Sequence, residues 1–112
     1  MACARSAAAL LLALASPTLW AAGGAYPLDW GRSGEVLEYR SCGCADSCWV
    51  AEVKNRRTRQ TLARLRCDCE RLFSQVGTRG AEKERAPSCS AFEGTKDKQS
   101  AIRQELERLL GR

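Results

Sequence analysis

Residues 63–70 read ARLRCDCE, a strict alternation of apolar and charged side chains. A period of two is typical of a β-strand with one buried face, because successive side chains of a strand point to opposite sides of the sheet. We therefore predict a half-buried strand, with Ala63, Leu65, Cys67 and Cys69 on its inner face. A helix is the alternative, since the apolar residues between Leu62 and Phe73 also fit helical spacing.

Cysteines dominate this stretch and the segment before it. In chain order they are Cys42, Cys44, Cys48, Cys67, Cys69 and Cys89, with a seventh, Cys3, near the N-terminus. Cys3 lies in a predicted signal peptide, described below, and its removal leaves six. An even number of cysteines in a short exported chain indicates a disulfide framework. A bond within either Cys-x-Cys would close a small strained ring, so each member is expected to pair elsewhere. Three bridges joining the first three cysteines to the last three would pin both groups together, although spacing alone does not choose among the pairings.

A metal site built from four of these thiolates is the alternative reading of the cysteines. The chain lacks the paired Cys-x-x-Cys motifs of zinc ribbons and contains no histidine to serve as a ligand. That reading would also require an intracellular protein. We therefore predict disulfides, no metal and no cofactor.

The first 25 residues have the three parts of a secretory signal peptide. Arg5 supplies the positive charge, residues 7–15 (AAALLLALA) the apolar core, and residues 21–25 (AAGGA) the small side chains of a cleavage region. We predict that residues 1–25 are removed, that Cys3 leaves with them, and that the protein is secreted into the extracellular space. No apolar run has the length of a membrane span, so we expect no membrane insertion.

The remaining sequence predicts a small disulfide-rich α+β domain, with a short antiparallel sheet and one C-terminal amphipathic helix. Residues 26–41 are expected to form an extended N-terminal arm, and residues 42–112 the disulfide-bonded domain. Within it, residues 49–53 (WVAEV) favour a strand and residues 75–90 a loop. The helix is expected over residues 96–110, with Ile102, Leu106, Leu109 and Leu110 on one face and a cap at Thr95 or Asp97.

The composition excludes several classes of enzyme. The absence of histidine rules out Ser-His-Asp and Cys-His nucleophilic catalysis. Asp68 and Glu70 share a strand face, but two solvated carboxylates are not a general acid and base. We therefore predict that the protein is not an enzyme.

The net charge of +5 is concentrated in one run. The cations of that run are Lys54, Arg56, Arg57, Arg59, Arg64 and Arg66. We expect them to bind a sulfated glycosaminoglycan such as heparan sulfate, or an acidic receptor surface, in a salt-sensitive manner. A solvated hairpin loop that keeps the protein soluble is the alternative, and a nucleic-acid partner does not suit an extracellular protein.

Two further features of the sequence suggest contact with other proteins. Trp30, which precedes the cysteines, is a candidate receptor anchor, because exposed aromatic residues dominate binding hot spots; Trp49 is expected in the core. Residues 56–59 (RRTR) meet the minimal Arg-x-x-Arg spacing that proprotein convertases recognise. A folded hairpin that resists cleavage is the alternative at that site.

Between Cys48 and Cys89 a series of landmarks follows a recognisable order. They are Cys48-Trp49-Val50, Gln60-Thr61, Cys67-Asp68-Cys69, Gln75-Val76-Gly77-Thr78 and Ala86-Pro87-Ser88-Cys89. This order resembles the chemokine-like TAFA family of small secreted proteins, from which the chain departs in the CGC before Cys48 and in the helix after Cys89. The overall layout resembles true chemokines. That resemblance implies that Cys42 and Cys44 pair with Cys67 and Cys89, with Cys48–Cys69 as an added bridge.

Both resemblances imply a secreted ligand of surface receptors. We accordingly expect a small cytokine- or chemokine-like ligand that binds a cell-surface receptor through residues 26–41 and 54–61, with glycosaminoglycan binding as a second interaction. The alternative is a secreted cationic antimicrobial or protease-inhibitor module. The 13 carboxylates disfavour it, because they dilute the cationic surface.

Overall fold

The computed structural model describes residues 24–112, so the predicted signal peptide lies almost entirely outside the described residues. Six strands form one antiparallel sheet in which spatial order follows chain order. The strands are β1 (Tyr26–Leu28), β2 (Glu35–Gly43), β3 (Cys48–Asn55), β4 (Thr61–Asp68), β5 (Leu72–Val76) and β6 (Lys83–Ala86). Two helices follow, α1 (Ser90–Glu93) and α2 (Lys98–Leu109). Neither has the length and hydropathy of a membrane span.

The core forms on one face of the sheet because apolar residues alternate along the central strands. Tyr39, Ala51, Leu65 and Ser74 lie opposite one another across β2, β3, β4 and β5. All four are buried, as are the other inward side chains of this face, Leu37, Trp49, Val53, Ala63, Cys67 and Leu72. The alternation that predicted a strand around Leu65 is thus confirmed, and the helical alternative is wrong.

Helix α2 covers this face. Asp97 caps its start, where the side-chain carboxylate accepts a hydrogen bond of 2.9 Å from the amide of Ser100. Ile102 and Leu106 are fully buried in the sheet core, and Leu109 and Leu110 pack at its margin. The predicted apolar helix face therefore packs on the sheet, and the helix itself is two residues shorter at its start and one at its end than the predicted range 96–110.

Two segments differ from the prediction. Residues 75–90 are not one loop, because Gln75 and Val76 end β5 and residues 83–86 form the edge strand β6. Lys-Glu-Arg-Ala is a poor strand sequence, but charged residues are common on the edge of a sheet, where they oppose pairing with other chains. Residues 26–41, predicted as an extended arm, supply β1 and most of β2, so more of this segment belongs to the sheet than was expected; β2 pairs with β3 from Glu35 to Gly43.

The disulfides are Cys42–Cys48, Cys44–Cys69 and Cys67–Cys89. As predicted, neither Cys-x-Cys forms an internal bond. The expectation that every bridge joins the first three cysteines to the last three is wrong, and so is the pairing implied by the chemokine resemblance. The reason lies in the hairpin between β2 and β3, whose register shift near Gly43 brings Cys48 opposite the end of β2, next to Cys42.

The connection between β2 and β3 is tightly bent. Cys44, Ala45 and Asp46 form a 3-10 turn and all three have positive φ, at 52°, 53° and 70°. This conformation is uncommon for residues other than glycine, and it persists where surrounding contacts hold it. Cys69 also has positive φ, at 82°, just after β4 ends. Because Cys69 lies beyond the end of β4, it does not follow the alternation of that strand. It is exposed, in contrast to the predicted inner-face position, whereas Cys67 is buried.

Lys98 connects the start of α2 to this bent connection. Its ammonium lies 3.1 Å from the Asp46 carboxylate and 3.4 Å from that of Glu93. It also lies 5.3 Å from the ring centroid of Trp49, within the range of a cation–π interaction. One ammonium thus joins three separate parts of the chain.

We expect Lys98→Ala to lower the free energy of unfolding by about 1–2 kcal/mol, because it removes a partly buried ammonium with two carboxylate partners and an aromatic neighbour. Lys96→Ala removes an exposed lysine two positions earlier and should change stability by less than about 0.5 kcal/mol. Urea unfolding of both variants, with the disulfides intact, measures the difference. Equal stability of the two variants would contradict the bridging role of Lys98.

Candidate binding site

The meander separates the connections between strands into two groups. The β1–β2, β3–β4 and β5–β6 turns lie at one end of the sheet, because Glu35 pairs with Asn55 and Ala63 with Val76. We call this the turn end and define it as residues 29–34, 56–60 and 77–82. The opposite end carries the β2–β3 and β4–β5 connections and all three disulfides, and we call it the cysteine end. The disulfides therefore stabilise one end of the sheet, and the turn end contains none of them.

Four of the six cations of the basic run form ion pairs within the domain. Lys54 and Arg59 both pair with Glu38, at 3.2 and 2.7 Å. On the outer face of the sheet Arg64 pairs with Glu52 and Arg66 with Glu82, at 3.0 and 2.6 Å. Strand alternation explains the pairs of Lys54 and Arg64, whose partners lie on neighbouring strands of the same solvated face. Arg59 and Glu82 lie in turns and reach their partners from there.

Arg56 and Arg57 are the two members of the run that have no carboxylate partner within residues 24–112. Both are exposed. The side-chain oxygen of Asn55 accepts hydrogen bonds from the amides of Arg57 and Thr58, at 2.9 and 3.0 Å, which holds the turn in shape. The ordered turn therefore presents the Arg57 guanidinium to solvent, while the exposed Arg56 guanidinium donates a hydrogen bond of 3.3 Å to the backbone carbonyl of Glu35.

The β1–β2 turn is joined directly to this β3–β4 turn. The amide of Arg56 donates to the carbonyl of Gly34 at 2.8 Å. Arg32 lies in the β1–β2 turn and Arg79 in the β5–β6 turn, and both are exposed without a carboxylate partner in the described part of the chain. Successive turns are two strands apart, so their centres are about 10 Å apart. The unpaired arginines thus form a row of about 20 Å across the turn end.

Sequence reasoning missed Arg32 and Arg79. Each adjoins a glycine, in Gly31-Arg32 and Arg79-Gly80, and such pairs are typical of turns. That signal locates each turn, but it does not show that the three turns share one end of the sheet. The strand order supplies that information.

Trp30 is buried, with 7% of its surface exposed, and does not form the predicted exposed anchor. Its indole N–H donates to the Glu35 carboxylate at 2.9 Å. Arg112 donates to both oxygens of the same carboxylate, at 2.6 and 2.8 Å. The hydrogen bond from Arg112, aided by that from Trp30, lowers the pKa of Glu35 to about 2 against the effect of burial. Trp30 and Glu35 therefore fix the C-terminal residue beside the turn end.

The cysteine end has a different charge. Asp46, Asp68, Glu70, Glu93 and Asp97 lie in or beside its connections, together with the cations Arg71, Lys96 and Lys98. Hydrogen bonds from the amides of Arg71 and Glu70 hold the pKa of Asp68 below its usual range. Although burial alone would raise the pKa of Asp46, hydrogen bonds from Tyr39 and Lys98 lower it below its usual range. Carboxylates thus outnumber cations around the cysteine end, whereas cations outnumber carboxylates in the turn end, where Arg32, Arg56, Arg57 and Arg79 lie together with Asp29 and Glu82.

The bridges use all six cysteines of the described residues, so no free thiolate remains there to bind a metal. Comparison with protein-family models, curated proteins and solved structures finds no match for this chain.

The lowered pKa of Glu35 predicts how the stability of the domain depends on pH. The pKa of Glu35 is lower in the folded protein than its usual value of 4.5. The hydrogen bonds from Arg112 and Trp30 to the carboxylate therefore stabilise the fold above pH 4.5, and this stabilisation is lost as the pH falls toward 2. We expect Glu35→Gln to lower the free energy of unfolding by about 2 kcal/mol near neutral pH, and by much less near pH 2. Urea unfolding at both pH values measures this.

Glu70→Gln is the matched control, because Glu70 is exposed and has no ion pair within residues 24–112. A stability deficit of Glu35→Gln that stays constant across the pH range would show that Arg112 and Trp30 do not act on the carboxylate charge.

Proposed function

We propose that the protein is a small secreted cytokine-like ligand that binds a cell-surface receptor, and that its turn end also holds it on sulfated glycosaminoglycan chains. The observation that carries the proposal is the row of unpaired arginines on three adjoining turns, at the end of the sheet remote from the disulfides. Three disulfides in a domain of this size are compatible with an extracellular protein.

The row suits an extended polyanion for two reasons. Its guanidinium groups need not first break an ion pair within the domain, so sulfate groups meet them without that cost. The turns are also preorganised by Asn55 and by the bond between Arg56 and Gly34, which reduces the conformational entropy lost on binding. The paired cations of the outer face would have to exchange a carboxylate for the sulfate.

The receptor surface is the less defined part of the proposal. A ligand of this kind needs rigid side chains around the charged contacts, because charge contributes mainly to association rate and specificity. Val76 is 47% exposed and lies at the end of β5 beside the β5–β6 turn, and so supplies an apolar contact next to Arg79. An exposed apolar side chain therefore adjoins the charged turn end.

We expect the double variant Arg56→Ala, Arg57→Ala to bind immobilised heparin about tenfold more weakly than the wild type, the effect of losing roughly 1.4 kcal/mol of guanidinium–sulfate contact. The control removes two exposed cations elsewhere, Arg40→Ala with Lys96→Ala. Both double variants lose the same charge, so any difference between them reports position. Equal weakening in the two would show that binding follows net charge alone.

Receptor binding is tested separately, on cells. Labelled protein should bind saturably to responsive cells, and a fraction of that binding should survive removal of heparan sulfate with heparinase. Binding that disappears entirely after heparinase treatment would leave the glycosaminoglycan interaction in place and contradict the receptor.

A further inference from the structure

The three bridges divide the domain at the β3–β4 turn. Cys42–Cys48 lies entirely before this turn and Cys67–Cys89 entirely after it. Among the disulfides of residues 24–112, Cys44–Cys69 alone joins the two parts. A chain opened at this turn would therefore consist of two halves, each with an internal disulfide, held together by one bridge.

The turn also carries a distinctive pair of arginines. Arg59 has a second arginine, Arg56, three positions before it, and residues 56–60 are all exposed. The other exposed turns of this end lack that spacing, because Asp29 precedes Arg32 by three positions and Val76 precedes Arg79 by three. Endoproteases of the secretory pathway that require arginine at both positions would distinguish Arg59 from the arginines of the neighbouring turns, and also from Arg57, which has a lysine, Lys54, three positions before it.

We propose that the β3–β4 turn is a processing site at which such an endoprotease hydrolyses the peptide bond between Arg59 and Gln60. The C–N bond breaks and one water is consumed, its hydroxyl adding to the carbonyl carbon of Arg59 and its hydrogen to the amide nitrogen of Gln60. The product is a two-chain protein linked by Cys44–Cys69. This proposal does not rest on the receptor or on the glycosaminoglycan.

The fold tolerates the cut. β3 and β4 remain paired from Cys48 opposite Asp68 to Val53 opposite Ala63, and the inward residues of both strands are fully or almost fully buried. Arg59 has φ of 65°, an uncommon conformation for arginine that the closed turn imposes and a cut chain no longer requires. The new chain ends lie in solvent, so cleavage exposes no core residue.

The closed turn sets the rate of the reaction. Proteases bind their substrates extended, so the turn must first open. Opening breaks the two hydrogen bonds accepted by the Asn55 side chain, the bond from the Asn55 amide to the Gln60 carbonyl at 2.8 Å, and the ion pair of Arg59 with Glu38. Asn55 is therefore the residue that restrains cleavage.

The test treats the purified, disulfide-bonded protein with a purified subtilisin-like endoprotease that requires arginine at the cut and three residues before it. The expected product has gained the mass of one water before reduction and separates on reduction into two chains, the second beginning at Gln60. Arg59→Ala and Arg56→Ala should each abolish this product. Asn55→Ala should be cut roughly tenfold faster, because it loses two hydrogen bonds that close the turn.

Trypsin is the control for opening of the turns, because it requires only one basic residue. If the β3–β4 and β5–β6 turns open equally, trypsin should also cut after Arg79. Resistance of the wild type and of Asn55→Ala to the endoprotease that requires the two arginines would overturn the proposal. A cut after Arg57 or Arg79 in place of Arg59 would overturn it as well, and so would two chains that separate without reduction.

Discussion

The indole of Trp49 lies where the sheet and both helices meet, and it contacts side chains of β2, α1 and α2. It is fully buried, stacks on Tyr39 with ring centroids 6.0 Å apart, and meets Phe92 of α1 edge-on at 5.6 Å. Its N–H donates to Glu93 at 3.0 Å, so the burial leaves no polar group unpaired. Glu93 and the indole both contact Lys98, the first residue of α2, so Trp49 also lies beside the start of that helix.

Trp49 also lies beside one of the disulfides of the cysteine end. Trp49 lies directly opposite Cys67 in the sheet, and Cys67 is bonded to Cys89, which immediately precedes α1. The bridge therefore attaches the first turn of α1, and hence Phe92, to the same part of the core. A core of so few large side chains gains from such cross-links, each of which contributes about 2–4 kcal/mol, mainly by restricting the unfolded chain. The turn end has no such cross-links and is held by hydrogen bonds and ion pairs.

The sequence predicted those elements whose periodicity is strong. The alternation around Leu65 located β4, and the spacing of Ile102 and Leu106 located α2. It did not reveal β6, because Lys83–Ala86 has no apolar pattern and becomes a strand only by pairing with β5. The cysteine pairing was equally beyond reach, since the bond between Cys42 and Cys48 depends on the register of a hairpin whose tip contains three left-handed residues. Among the candidate site residues, Arg56 and Arg57 remain available for binding, whereas Trp30 became part of the C-terminal anchor.

If the protein is the exported domain that we propose, its six cysteines between residues 24 and 112 should all be oxidised, in the three pairs of the structure. Peptide mass mapping of the unreduced protein, collected from the medium of expressing cells, tests it most directly. We expect secreted protein with no free thiol and with the three linked peptide pairs Cys42–Cys48, Cys44–Cys69 and Cys67–Cys89. Protein retained inside cells with free thiols, or a bridge from Cys42 or Cys48 to the C-terminal cysteines, would contradict it.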